Sequence, residues 1–292
     1  MAIKGKLIII GGAEDKGNFE DDDRMDDDAT IEGYYEEGIL KRIVDESAKQ
    51  EKSRIEILPT ASAEAQSLGA EYVTAFKRLN VTNIGIFNIT KREDAHDENT
   101  LKRLREADVV MVTGGDQMRL TSILGGTPFL ETLMEKYAKE DFVYAGSSAG
   151  AAAASNNMVF EGESELALYK GKVKITSGLG LINNVIIDTH FVKRGRIGRL
   201  FQAVVSNPRL LGIGLEENSA IMITKGELME AVGPGMTVLV DGRGIADSNF
   251  NDIYDGEAIS IENIVVHVMT KYDKYDLKNN KMKIDHLNGA ED

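Results

Sequence analysis

The 292-residue sequence contains no cysteine. Disulfide bonds, thiolate metal sites and thiol redox chemistry are therefore excluded, and a chain without a disulfide framework is compatible with the cytoplasm. Long hydrophobic runs are also missing, since none approaches the roughly 18 apolar residues that a membrane-spanning helix requires. We therefore expect a soluble, cytoplasmic protein with no membrane partner.

The sequence has fewer basic than acidic residues, with 34 Lys and Arg against 48 Asp and Glu, and its formal net charge is −14. Such an excess repels the phosphate backbone of nucleic acids, so we predict no nucleic-acid partner and a preference for cationic substrates. The proportions of hydrophobic (42%) and charged (28%) residues are those of a globular protein. The length suits one large α/β domain.

Short apolar runs alternate with segments of helical periodicity in the first half of the chain. Strands are predicted at 6–10, 55–58, 84–87, 109–112 and 142–145, and helices at 33–48, 65–79, 100–106 and 128–137. This alternation is typical of βα units on a mostly parallel sheet flanked by helices.

The pattern changes after residue 148. Strands are predicted at 185–187, 212–215, 220–224, 229–232, 237–240 and 261–269, with one helix at 197–205. The C-terminal half should therefore contribute additional antiparallel strands. Because no linker or repeat interrupts the chain, we predict a single α/β domain over 1–270 and a polar tail over 271–292 that frays.

Metal binding is not supported by the spacing of possible ligands. The acidic clusters at 20–28 and 241–257 lack the EF-hand register, because the second has Asp252 where Gly is needed and Ala258 where Glu is needed. The four histidines, His96, His190, His267 and His286, form no H-x-x-x-H pair. We predict no metal site, and both clusters are interpreted as solvated loops.

The motif G-x-S-x-G occurs at 146–150, with Ser148 at its centre. It lies between a predicted strand and the helix-favouring run 151–154, which is the strand–turn–helix context of a nucleophile elbow. Such a turn holds the serine in a strained conformation and exposes its hydroxyl above the sheet edge. It also directs the Ala149 N–H toward a developing oxyanion. We therefore predict that Ser148 is a nucleophile.

A nucleophilic serine needs a base, and His190 follows an apolar strand at the position where α/β folds place functional residues. Arg194, Arg196 and Arg199 come next. Their spacings of two and three spread them around the start of the predicted helix 197–205, which favours guanidinium groups that bind substrate carboxylates.

Glycine pairs or small polar residues follow three other predicted strands, at 11–14, 59–62 and 114–117. Together with 146–150, four strands deliver turn residues to one sheet edge, the expected crevice of an open α/β sheet. The N–H of Gly115 could complete an oxyanion hole with that of Ala149. A dinucleotide fingerprint is excluded, because 11–17 lacks the G-x-G-x-x-G register.

These motifs together resemble those of the cyanophycinases, within the wider family of serine peptidases that includes aspartyl dipeptidase (peptidase E). The resemblance extends from about residue 6 to residue 224. It rests on G-G-A-E at 11–14, P-T-A-S at 59–62, G-G-D-Q at 114–117, G-S-S-A-G at 146–150, D-T-H-F at 188–191 with the three arginines, and G-I-G-L-E-E at 212–217.

The resemblance implies a flavodoxin-like α/β fold similar to that of class I glutamine amidotransferases. It also implies hydrolysis of cyanophycin, a poly-aspartate backbone with arginine on each side chain, to β-Asp-Arg dipeptides by a homodimer without a cofactor. By position, Ser148 is implied as nucleophile, His190 as general base and then acid, and Glu217 as the carboxylate that orients His190. Asp188 stays open as an alternative orienting acid, because a spacing of two on a strand puts it on the same face as His190.

The implied substrate-binding residues are Gln117, Asp188, Thr189, Arg194, Arg196 and Arg199. Thr189 departs from the family, which commonly has Gln there, and this leaves the substrate contacts open. Two alternatives remain. One is a small-peptide hydrolase of the aspartyl dipeptidase type acting on β-aspartyl peptides, and the other is a non-catalytic ligand-binding module on the same scaffold.

Overall fold

The computed structural model describes residues 3–17 and 38–286. Within them the strands are β1 (Lys6–Ile10), β2 (Ile55–Leu58), β3 (Ile84–Ile86), β4 (Val109–Val112), β5 (Val143–Ser147), β6 (Ser155–Glu161), β7 (Lys174–Ser177), β8 (Ile182–Thr189), β9 (Leu211–Leu215), β10 (Ala220–Thr224), β11 (Leu228–Val232), β12 (Thr237–Asp241), β13 (Asp247–Ser248), β14 (Ile261–Glu262), β15 (Val265–Met269), β16 (Lys274–Asp276) and β17 (Lys281–Lys283). The helices are α1 (Ile39–Glu46), α2 (Ala65–Arg78), α3 (Glu98–Glu106), α4 (Gln117–Leu124), α5 (Pro128–Lys139), α6 (Ala149–Ala154) and α7 (Ile197–Ser206).

The larger sheet has nine strands in the order β17-β16-β11-β10-β1-β5-β4-β2-β3. Strands β1, β5, β4, β2 and β3 run parallel, whereas β10, β11, β16 and β17 extend the sheet antiparallel from β1. The predicted mixed α/β fold, with a parallel sheet and added antiparallel strands, is confirmed. The four strands predicted to deliver their turns to one edge are neighbours in this sheet.

Both faces of the parallel strands are buried. Along β1, Leu7 and Ile9 enter one apolar cluster while Ile8 and Ile10 enter another. Helices α1 and α2 cover the second cluster, and α3, α4 and α5 cover the first. Continuous Val, Ile and Leu runs are therefore favoured in these strands, as in parallel sheets generally.

A second sheet of six strands, in the order β15-β12-β9-β8-β6-β7, packs on the far side of the short helix α6. Every residue of α6 is buried, because the helix lies between β5 of one sheet and β8 of the other. Its sequence of Ala and Gly fits this position, and a Cβ on Gly150 would come within 2.5 Å of the Val112 carbonyl oxygen. The two sheets therefore enclose the helix that follows Ser148.

Several elements differ from the sequence predictions. Strand β6 and helix α4 were not predicted, since β6 begins with polar residues and α4 has only eight. The predicted strand 261–269 divides into β14 and β15 because Asn263 has a φ of 67°, which interrupts an extended chain. The predicted helix 33–48 begins outside the described residues, and the helix within them is α1. The acidic cluster 20–28 also lies outside them.

Residues 271–286 are more ordered than expected, and the rest of the predicted tail, 287–292, lies outside the described residues. We predicted a fraying polar tail from residue 271, but β16 pairs with β11 and β17 pairs with β16. Tyr275 is buried, and the carboxylate of Asp273 accepts hydrogen bonds from the N–H groups of Thr270 and Asp285. An alternating pattern with one inward-facing aromatic residue therefore fits β16 as a short inner strand, and β17 forms the edge of the sheet. The limit of the α/β domain at residue 270 stays a prediction.

No helix of the described residues is long and apolar enough to cross a membrane. Within 3–17 and 38–286 there is also no group of three His, Asp or Glu side chains that could hold a metal ion.

Candidate active site

Ser148 occupies the sharp turn between β5 and α6. Its φ of 49° and ψ of −103° lie outside the regions that non-glycine residues favour, as expected for a nucleophile elbow. Ser148 is half-buried, whereas 142–147 and 149–150 are fully buried. Its own N–H donates to the Ile10 carbonyl oxygen at 3.0 Å, so that group is already used in holding the turn.

His190 lies directly after β8, and its Nε2 is 3.1 Å from the Ser148 Oγ. The His190 N–H donates to the Gly11 carbonyl oxygen at 3.0 Å, which joins the end of β8 to the end of β1. Gly12 lies against the imidazole ring with a φ of +102°, and a Cβ there would come 2.5 Å from the ring Cε1. Only glycine fits that position, so the 11–12 turn forms a close support for the ring.

The carboxylate of Glu217, two residues after β9, reaches the other side of the ring. Its Oε1 is 2.7 Å from His190 Nδ1, and its Oε2 pairs with the Lys193 ammonium. The hydrogen bond from Lys193, and then that from His190, lower the pKa of Glu217 against the opposing effect of burial. An ionised Glu217 favours the tautomer with the proton on Nδ1, which leaves Nε2 free to accept the serine proton.

Asp188 does not reach His190, although their spacing on a strand predicted a shared face. Strand β8 ends at Thr189, and the φ of 50° at His190 turns the chain away from the strand direction. The Asp188 carboxylate is instead 3.1 Å from Arg196 Nη1 and 2.9 Å from Arg199 Nε. The structure therefore places Glu217, and not Asp188, beside the histidine.

The ion pairs of Asp188 are enclosed by the protein. Asp188 is 2% exposed and Arg199 is 6% exposed. Burial raises the pKa of Asp188, and the guanidinium groups of Arg199 and Arg196 oppose that rise. Burial likewise lowers the pKa of Arg199, with Asp188 opposing. Nη1 of Arg196 and Nε of Arg199 are therefore already engaged by Asp188.

The other predicted substrate-binding residues are divided between the surface and the interior. Arg194 is exposed, and its guanidinium makes no ion pair within 3–17 and 38–286. Gln117 is half-buried at the start of α4, and its amide donates to the Val159 carbonyl oxygen at 3.1 Å. Thr189 is buried, and its carbonyl oxygen accepts from Arg196.

The predicted oxyanion-hole residues lie on the two turns beside Ser148. A Cβ on Gly114 would be 3.4 Å from the Ser148 Cβ, so the 114–115 turn adjoins the serine. Gly115 has a φ of +140° and lies against the Ala61 carbonyl. Ala149 is the first residue of α6. Within the described part of the chain, neither the Gly115 N–H nor the Ala149 N–H makes a hydrogen bond.

Three residues near the site were not identified from the sequence. Lys193 pairs with Glu217, while the carboxylate of Glu216 accepts hydrogen bonds from the N–H groups of Val192 and Lys193. Glu14 is buried and bonds the side chain of Ser147. Glu14 and Glu216 stand in the motifs at 11–14 and 212–217, but the sequence predicted no role for either.

Ser148, His190 and Glu217 therefore form a continuous row of hydrogen-bonding groups at the carboxyl edge of the parallel strands. A hydroxyl, an imidazole and a carboxylate in this order have the geometry for nucleophilic acyl transfer. No metal is needed for such chemistry.

Comparisons with known proteins identify the family of this chain. The family model described as peptidase family S51 matches residues 29–231. A cyanophycinase from Geminocystis herdmanii is 28% identical over 94% of this chain and 95% of its own length. One from Trichormus variabilis is 30% identical over 95% of this chain and 87% of its own.

Two solved structures share the fold. A peptidase from an acI-B1 Actinobacterium has a TM-score of 0.61 at 19% identity, covering 90% of this chain and 97% of its own. A putative peptidase E from Listeria monocytogenes EGD-e has a TM-score of 0.51 at 17% identity, covering 80% and 99%. With the family model matched over more than half of its length, this chain belongs to peptidase family S51 and is a peptidase.

Proposed function

We propose that this peptidase hydrolyses cyanophycin to β-Asp-Arg dipeptides, with Ser148 as its nucleophile. The observation that carries the proposal is the row of contacts from Ser148 Oγ to His190 at 3.1 Å and from His190 to Glu217 at 2.7 Å. The substrate is inferred from relatives named cyanophycinase that align with 94–95% of the chain. That coverage includes every residue of the row.

The reaction follows from the roles of the three groups. The Ser148 Oγ attacks the scissile carbonyl carbon while His190 Nε2 accepts its proton. The tetrahedral intermediate then collapses, and the C–N bond breaks as His190 returns the proton to the leaving amine. Water, deprotonated by His190, hydrolyses the resulting acyl-enzyme ester and releases Ser148. Throughout, the negative charge of Glu217 stabilises the imidazolium that forms twice per turnover.

The oxyanion is stabilised by N–H groups that are not used in the fold. The Ala149 N–H at the start of α6 and the Gly115 N–H of the adjoining turn are assigned to this role. The N–H of Ser148 is not, because it already donates to Ile10.

Substrate recognition is assigned first to Arg194, whose exposed guanidinium can bind an aspartate carboxylate in a bidentate manner. Gln117 lies at the start of α4 and can contact the same chain of the substrate. Asp188, Thr189, Arg196 and Arg199 are assigned an indirect role, in which their mutual contacts support the segment that carries Arg194. A homodimer in the cytoplasm and a single domain over 1–270 remain part of the proposal.

The test is incubation of the purified protein with insoluble cyanophycin, followed by mass analysis of the soluble products. We expect β-Asp-Arg dipeptides.

In parallel, Ser148→Ala should lower turnover by at least ~10³-fold without loss of the fold, because it removes one hydroxyl and relieves backbone strain. More than a tenth of wild-type turnover in that variant would refute the nucleophile. Cleavage of short β-aspartyl peptides alone would favour the aspartyl dipeptidase alternative.

A further inference from the structure

Glu14 is a buried carboxylate close to Ser148 that has no part in the reaction described above. Only 5% of it is exposed. Its Oε2 accepts a hydrogen bond from the Ser147 hydroxyl at 2.7 Å, and its Oε1 accepts one from the Tyr72 hydroxyl. Tyr72 and Ser147 are themselves 2% and 3% exposed. The three side chains form a closed polar cluster between β5 and helix α2.

Burying a carboxylate costs free energy that its hydrogen bonds only partly return, so such a group is seldom retained for stability alone. Burial, and then the charge of Glu14, raise the pKa of Tyr72 well above its usual value. The phenol therefore stays protonated and donates to Glu14 at all pH values of interest. The Lys16 ammonium lies 4.8 Å from the centre of the Tyr72 ring.

The segment 11–15, which carries Glu14, contacts His190 and the residue next to Glu217. The Gly11 carbonyl oxygen accepts the His190 N–H, and Gly12 supports the imidazole ring. The Gly12 carbonyl oxygen accepts the N–H of Asn218, the residue after Glu217, at 2.9 Å. The Asp15 N–H donates to the Asn218 side chain at 3.2 Å. Segment 11–15 therefore holds the backbone of His190 and that of Asn218, the residue next to Glu217.

We propose that Glu14 is a positioning residue that fixes the nucleophile relative to its base. Through Ser147 it holds the end of β5 immediately before Ser148, and through segment 11–15 it holds His190. The separation of Ser148 Oγ and His190 Nε2 therefore depends on the bond between Glu14 and Ser147. This inference rests on the proposed function only in taking Ser148 as the nucleophile.

The simpler rival is that Glu14 only stabilises the fold, and Glu56 offers a matched control for it. Glu56 is another buried carboxylate, 0% exposed on β2, and it pairs with Arg54 and Arg103. It has no contact with the Ser148 row. Glu56→Gln should therefore lower the melting temperature without changing the reactivity of the folded protein.

The experiment compares Glu14→Gln with Glu56→Gln by the rate at which an alkyl fluorophosphonate labels Ser148, together with kcat, KM and melting temperature. We expect Glu14→Gln to lower both the labelling rate and kcat by roughly 10- to 100-fold, because small misplacements of reacting groups are that costly. KM should stay within about twofold, since no substrate contact is lost. Glu56→Gln should label at the wild-type rate.

Ser147→Ala and Tyr72→Phe extend the test to variants that each remove one hydrogen bond, in case Glu14→Gln does not fold. Ser147→Ala should reproduce the loss of labelling, and its effect should not add to that of Glu14→Gln. Wild-type labelling rates in Glu14→Gln, or in Ser147→Ala if the former does not fold, would overturn the positioning role.

Labelling also separates this inference from the choice of substrate, because the phosphonate does not require cyanophycin. A protein that is labelled at Ser148 but leaves cyanophycin intact overturns the proposed substrate alone. A wild-type protein that is not labelled overturns both the nucleophile and the positioning role of Glu14.

Discussion

Two carboxylates lie near His190, and they differ in what surrounds them. Asp188, two residues before the histidine, has a side chain 3% exposed and shared between two guanidinium groups. Glu217, 27 residues after it, has a side chain 20% exposed and lies between the imidazole and one lysine. The acid that is closer to His190 in the sequence therefore does not contact its imidazole, and the acid that is farther away does.

The difference follows from where each strand ends. Asp188 is still within β8, so its side chain points into the interior beside helix α7, where only paired charge is tolerated. Glu217 lies past the end of β9, where the chain has left the sheet and the carboxylate can face the crevice. An orienting acid must direct its charge at the imidazole, whereas the charge of Asp188 is directed at Arg196 and Arg199.

The largest effect that separates the two acids is expected for Glu217→Gln. This change keeps the shape of the side chain but removes the charge that stabilises the imidazolium and fixes its tautomer. We expect kcat to fall by about 10³- to 10⁴-fold with little change in KM and in melting temperature. A variant with unaltered kcat would transfer the orienting role to another acid.

Asp188→Asn should have the opposite profile. It leaves the guanidinium groups of Arg196 and Arg199 without a counter-charge, and loss of one partner of a buried ion pair costs about 3–5 kcal/mol of unfolding free energy. Denaturant titration measures this loss. The folded fraction should still label with a fluorophosphonate, because Ser148, His190 and Glu217 keep their contacts. Loss of labelling at unchanged stability would show that Asp188 acts in the reaction itself.

The sequence predicted the parallel strands and the turns at their carboxyl ends, because apolar runs and glycine pairs are local signals. It also predicted Ser148 and His190, since each lies in a local strand-end motif. The choice between Asp188 and Glu217 depended on the φ of 50° at His190, which no pattern of residue types displays. The contacts of Glu14 with Ser147 and of Glu217 with Lys193 join residues that are far apart in the sequence. Hydrophobic periodicity describes only neighbouring residues, so it could not reveal these contacts.

The arginines extend the comparison to the substrate, with smaller expected effects. Arg194→Lys should lower kcat/KM, with a loss of transition-state stabilisation of about 1.5–3 kcal/mol. The reason is that the point charge of lysine cannot copy a bidentate contact with a carboxylate. This loss should vanish for a substrate whose matching carboxylate is amidated. Arg196→Lys and Arg199→Lys should instead lower the unfolding free energy, since their partner is Asp188. Equal effects of all three on kcat/KM would place every arginine against the substrate.

The smallest effect is expected at Lys193, whose ammonium shares Glu217 with the histidine. Lys193 lowers the pKa of Glu217 below the ordinary glutamate pKa of 4.5. This pair therefore stabilises the folded protein fully at pH values above 4.5, and the stabilisation is lost as the pH falls through the lowered pKa of Glu217. At neutral pH, Lys193→Gln leaves the whole charge of Glu217 acting on the imidazolium. The acidic limb of the kcat/KM profile should then move to higher pH.

The expected displacement of that limb is only about 0.2–0.7 pH units, because exposed ion pairs are worth about 0.2–1 kcal/mol. Lys139→Gln is the matched control, since the Lys139 side chain is also 65% exposed and pairs with a carboxylate, that of Glu135, away from the site. Its pH profile should coincide with that of the wild type. If Lys193→Gln instead raised KM and left the acidic limb in place, Lys193 would bind the substrate, and Glu217 would act on His190 without modulation.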